Sequence, residues 1–185
     1  MSTGTLIAII VPVVVVLLVC ALAASLIMRR RRLQARFGPE YQRTVEAKGS
    51  RRAAERELRE REQRHDALHI KELPAATRDR YAHEWDQVQE RFVDRPEDAV
   101  HDADRLVTSL MSDRGYPTEG LGQQLSDLSV EHGRTLERYR AAHEVNGRST
   151  RHEATTEELR GAMVHYRALF TELLHNGQKP RESGA

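Results

Sequence analysis

The chain reads as all-α: an N-terminal transmembrane helix, a charged helical stalk and an antiparallel helical bundle. Three observations predict this. Residues 5–28 are an apolar run without one charged side chain. Residues 51–73 hold helix formers with neither Gly nor Pro, and from residue 75 onward apolar side chains recur at the helical period. No window alternates like a strand.

The apolar run is interrupted only by Thr5, Pro12, Cys20 and Ser25. As a helix its 24 residues span about 36 Å, enough for a hydrocarbon core of about 30 Å with some tilt. Pro12 introduces a kink of the kind membrane helices tolerate. A secretory signal is the rival, because Ala21-Leu22-Ala23 has the small-x-small form that precedes cleavage. Its basic leading region is missing, however. Met1–Gly4 has no charged side chain, whereas Arg29, Arg30, Arg31 and Arg32 follow the run directly. Leu17-Leu18-Val19-Cys20 departs from a lipoprotein box at Val19, where a small residue belongs. The positive-inside rule then keeps the arginine flank in the cytoplasm and the N-terminus outside, and Arg29, Arg30, Arg31, Arg32 and Arg36 are the expected contacts to lipid headgroups.

The net charge of +1 conceals this asymmetry: without those five arginines, 24 basic residues face 28 acidic ones. A mildly acidic body argues against nucleic acid as a partner. The single cysteine, Cys20, excludes an internal disulfide and a Cys-based zinc site.

Phe37-Gly38-Pro39 ends the first helix. After a short segment and Gly49-Ser50, residues 51–73 carry pairs such as Glu57–Arg61 and Glu60–Arg64 but few apolar side chains, which predicts a solvated stalk able to pair with a second copy. Pro74 interrupts it. Tyr81, Trp85, Val88 and Phe92 then form one stripe; Ala99, Val100, Ala103, Leu106, Val107, Leu110 and Met111 form the strongest. Pro96 starts that helix and Gly115 stops it. Thr118 is positioned to cap a short helix carrying Leu121, Leu125 and Leu128. Leu136, Tyr139, Ala142 and Val145 predict a helix ending near Asn146-Gly147. Thr155 and Glu158 fit a capping box for the last helix, with Leu159, Met163, Tyr166, Phe170 and Leu173 on its stripe and Asn176-Gly177 as its close. The organisation expected is therefore 1–4 extracytoplasmic, 5–28 transmembrane, 29–50 basic juxtamembrane linker, 51–74 stalk, 75–176 bundle and 177–185 disordered tail.

Nine histidines invite a metal reading. His132 and His143 extend the Leu136–Tyr139 stripe and are the candidate metal ligands between helices. Converging carboxylates are missing at that spacing, so hydrogen-bonded boundary histidines are the simpler account. His65 and His69 flank Asp66 at i,i+4 in the stalk and read as solvated surface, as do Glu97, His101 and Asp104 on the second bundle helix. No phosphate loop, nucleophile elbow or His-Glu-x-x-His is present. No cofactor and no catalytic residue are predicted.

The segments "RFGPEYQRTVE" (36–46), "FVDRPEDAVHDADRLV" (92–107) and "LMSDRGYP" (110–117) resemble an uncharacterised family of bacterial single-pass membrane proteins with a helical C-terminal domain. The resemblance spans most of residues 37–170. It implies the architecture and carries no ligand or catalytic residue. The function expected is a membrane-anchored, non-enzymatic protein presenting a cytoplasmic helical bundle to another protein; the alternatives are a metal-binding or catalytic bundle using His132 and His143, or a bundle exported after cleavage following Ala23.

Overall fold

The computed structural model describes residues 3–175, with side chains from residue 14 onward except residue 15. These residues form eight helices and no strand: α1 (Thr3–Phe37), α2 (Pro39–Lys48), α3 (Arg51–Asp66), α4 (Ala75–Asp94), α5 (Pro96–Arg114), α6 (Leu121–Leu128), α7 (Gly133–Ser149) and α8 (Thr156–His175). The protein is all-α. The first half of the expected span, Pro12, and the closing Asn176-Gly177 with the tail after it lie outside the described side chains. Among the described residues no helix is long and apolar enough to cross a membrane.

Helices α4, α5, α7 and α8 enclose the main core. Tyr81, Trp85 and Val88 of α4, the whole stripe of α5 from Ala99 to Met111, Leu136, Tyr139 and Ala142 of α7, and Leu159 to Leu173 of α8 are buried in it. Trp85 stacks on Phe170 with ring centroids 4.7 Å apart, and Tyr139 meets Tyr166 edge to face at 5.9 Å. Such aromatic pairs add about 0.5–1.5 kcal/mol to the burial of their area. Cross-helix bonds fix the directions. Tyr81 to Asp113 and Arg91 to Asp102 make α4 and α5 antiparallel, and Thr135 to Glu172 and Arg148 to Glu158 do so for α7 and α8. By contrast α5 and α8 run in the same direction, joined by Asp104 to Tyr166 and by Arg114 to the Leu173 carbonyl.

The helix ends follow local chemistry where the residues involved are neighbours. Pro39 opens α2, and left-handed Gly49 and Gly115 close α2 and α5. The capping box forms: Glu158 accepts the Thr155 backbone N–H at 2.8 Å, and the Thr155 hydroxyl accepts the Glu158 N–H at 3.3 Å. Thr118 does not cap α6; Gly120 precedes it without a side-chain cap. Helix α7 continues through Gly147 to Ser149, because Asn146 and Ser149 prolong its buried face.

The segment expected as a solvated stalk is instead folded onto the domain. Leu58 and Ala54 of α3 are fully buried, Leu58 in a second core with Leu33 and Phe37 of α1, Tyr41 of α2 and Val130. Helix α3 also stops seven residues early. Residues 67–74 run irregularly so that Leu68, Ile70 and Leu73 can reach the main core, anchored by the Lys71 N–H on the Arg114 carbonyl at 2.8 Å. Tertiary burial here overrides helix propensity.

Candidate functional site

The arginine collar is the sequence-predicted site that the fold treats most unevenly. Arg29, Arg31 and Arg32 are exposed on α1, Arg30 is half-buried, and Arg36 turns toward α3. Arg36 bonds Glu62 and reaches Asp66 at 3.1 Å, while Arg32 reaches Glu62 at 3.5 Å. Arg29 and Arg31 have no acidic partner among the described residues. Arg30 lies beside the Tyr41 hydroxyl, which donates to Glu55 at 2.9 Å. Burial, followed by Glu55, raises the Tyr41 pKa, and Arg30 opposes the rise. The collar therefore has an outward part and a part that ties α1 to α3.

Below the collar, α2 is locked to α7. The Glu40 carboxylate, 3 % exposed, accepts two bonds from Arg140 at 2.7 and 2.9 Å and one from Arg61 at 3.3 Å. Arg140 loses solvation at this site, which works against its charge. The bonds to Glu40 outweigh that loss and hold its pKa above the ordinary arginine value. Arg43 grips Glu137 of α7 at 2.5 and 2.8 Å. The buried pair of Glu40 and Arg140 stabilises little against an apolar substitute, but it penalises any arrangement that leaves one partner alone.

The candidate metal ligands do not converge. His132 sits just before α7, with Nδ1 2.9 Å from Glu172 and Nε2 3.5 Å from the Tyr116 hydroxyl, which itself donates to Glu131 at 3.1 Å. Its side chain is 0 % exposed. His143 lies on the other side of Tyr139, half-exposed, with Nδ1 3.0 Å from Asp104; the Tyr166 hydroxyl donates to the same Asp104 oxygen at 2.8 Å. Among the described residues no group of three His, Cys, Asp or Glu side chains could hold a metal ion.

Two pKa directions follow. The Asp104 hydrogen bond raises the His143 pKa against partial desolvation. Partial burial works to raise the Glu172 pKa, and His132 and Thr135 overcome it, so the carboxyl titrates below its ordinary range.

The other histidine groupings separate. His65 is buried 3.8 Å from Glu131 and 3.7 Å from Asp66, whereas His69 is exposed beyond the end of α3, so the i,i+4 clip is not formed. Glu97 pairs with His152 at 2.8 Å, His101 is exposed, and Asp104 turns inward. Glu172 and Tyr116, the partners of His132, and Glu131, which accepts from Tyr116, were not legible in the sequence. Two of the quoted segments supply joints: Phe37 of α1 and Glu40 and Tyr41 of α2 where the chain meets α7 and α3, and Gly115 and Tyr116 where residues 67–74 cross the end of α5.

No protein-family model, no curated protein and no solved structure matches the chain.

Proposed function

We propose that this chain is a single-pass membrane protein of the resembled bacterial kind, spanning the bilayer with residues 5–28, its N-terminus outside and its helical domain held at the cytoplasmic face as a protein-interaction or scaffold module. The observation that carries the reading is the surface of α1. Nine large apolar side chains from Val14 to Met28 are exposed there without protein cover, whereas in the rest of the described chain only Val93, Leu121 and Val164 are. Apolar surface of that extent on one helix calls for lipid or a partner, and its continuation into four arginines favours lipid.

The scaffold role is supported by the rigidity of the attachment. Helix α1 continues from the apolar segment to Phe37, and Leu33 and Phe37 are buried in the second core. The first buried residue of the domain, Leu33, therefore lies about 7.5 Å along the helix from Met28, with no flexible linker between them. A construction of this kind fixes the position and orientation of the domain against the membrane.

A topology experiment tests the proposal. Reporters fused after Ala185 should be active as cytoplasmic fusions and silent as exported ones, and the chain should stay in the membrane after carbonate extraction at its full 21.1 kDa. Replacing Arg29 to Arg32 with Asn should give mixed orientations. A mature N-terminus at Ala24, or a reporter active only outside, would overturn the reading in favour of export.

A further inference from the structure

Where α1 leaves the expected span, α3 lies alongside it, and between them is a cleft of about 270 Å³. Arg29, Arg30 and Arg32 line one wall and Arg59 the other. Leu26 and Leu33 mark its two ends along α1. Two carboxylates also face it, and both are engaged: Glu62 by Arg36 and Arg32, Glu55 by the Tyr41 hydroxyl. Arg59 donates its Nε to the Glu55 carbonyl at 2.9 Å, and its guanidinium has no acidic partner among the described residues. The same holds for Arg29. Four guanidinium groups against two occupied carboxylates leave an uncompensated positive cleft with apolar ends.

We infer that this cleft between α1 and α3 binds the phosphate of an anionic lipid headgroup. The inference rests on the membrane-anchored reading, and depth is what makes it specific. Leu33 lies about 7.5 Å along the helix from Met28, and the headgroup layer on each side of a bilayer is about 5–7 Å thick. Arg29 and Arg59 therefore stand at phosphate level. Guanidinium forks suit phosphate oxygens, and Leu26 offers contact to the first acyl carbons. The arginines of α1 alone would attract anionic lipid without a defined site. The wall supplied by α3 turns that attraction into a pocket, which gives the fold-back of α3 a function.

The test uses the full chain in maltoside micelles, titrated with phosphatidylglycerol, with phosphatidylcholine and with inorganic phosphate, and read by native mass spectrometry. The wild type should retain phosphatidylglycerol at least about fivefold better than phosphatidylcholine, and Arg59→Gln should lower that retention about fivefold. Arg52→Gln, an exposed arginine of α3 outside the cleft, should leave it unchanged, and Arg59→Lys should restore part of it. Equal losses in the Arg52 and Arg59 variants would show diffuse charge attraction and overturn the site. Displacement of phosphatidylglycerol by millimolar phosphate would assign the cleft to free phosphate and overturn the lipid source. Carbonate extraction of the same variants separates the two readings. A chain that is not membrane-integrated removes the anchor and the site together, whereas an integrated chain without lipid preference removes the site alone.

Discussion

Gly133 and Phe37 meet backbone to backbone: a Cβ placed on Gly133 would stand 2.5 Å from the Phe37 carbonyl oxygen and 3.2 Å from its carbon. The first turn of α7 thus touches the last residue of α1, 96 positions earlier in the chain. Neither backbone can yield as a flexible side chain would. Gly133→Ala should force the two helices apart and cost about 1–3 kcal/mol in denaturant unfolding, the usual range for overpacking. Limited proteolysis should show faster cleavage between residues 37 and 50, while the circular dichroism stays helical. An unchanged midpoint and cleavage rate would mean that α1 is not docked as described.

The stacked pair of Trp85 and Phe170 is the second place where one substitution is informative. Trp85 is 5 % exposed, and its removal opens a cavity between α4 and α8. Trp85→Ala should cost about 3–5 kcal/mol in urea unfolding. A loss under about 1 kcal/mol would place the indole at the surface.

A truncation tests whether α2, α3 and residues 67–74 belong to the folded unit. Fragments 29–175 and 75–175 should both be helical, but the shorter should melt at a distinctly lower temperature. It lacks Leu73, whose burial alone stabilises by about 1.5–3 kcal/mol, together with Leu68, Ile70 and the second core. Equal melting temperatures would return these segments to the role of a free stalk.

The bond between His143 and Asp104 makes stability depend on pH in a defined direction. The Asp104 hydrogen bond holds the folded His143 pKa above the ordinary histidine value of 6.5. Its contribution is therefore fully present below the unfolded pKa and is lost as pH rises through the folded one. The ring resonances of His143 should titrate above 6.5. His143→Gln should flatten the part of the stability profile that falls as pH rises from the ordinary histidine range, leaving the acid side unchanged. A titration midpoint below the free-histidine value would refute the bond. The half-exposed ring keeps the effect small, since solvent screens the pair.

The sequence alone determined what depends on residues within four positions of one another. The stripe from Ala99 to Met111, the Pro96 start, the Gly115 stop and the Thr155–Glu158 box were all legible, because helical period and capping are local properties. The all-α class follows from them. Tertiary structure decided everything that needed a partner far along the chain. Nothing near Glu40 in the sequence marks it as buried; Arg140, 100 residues away, neutralises it in the fold. His132 reads as a hydrogen-bonded boundary histidine, but its partners, Glu172 and Tyr116, are identified only in the fold. The stretch from Leu68 to Leu73 reads as helix, since its propensity is helical, but burial of three apolar side chains against the main core outweighs a propensity of a few tenths of a kcal/mol per residue. The collar of arginines is the clearest case. Charge and position were written in the sequence, while its division between bonds to α3 and an open cleft arises only where α3 folds back against α1.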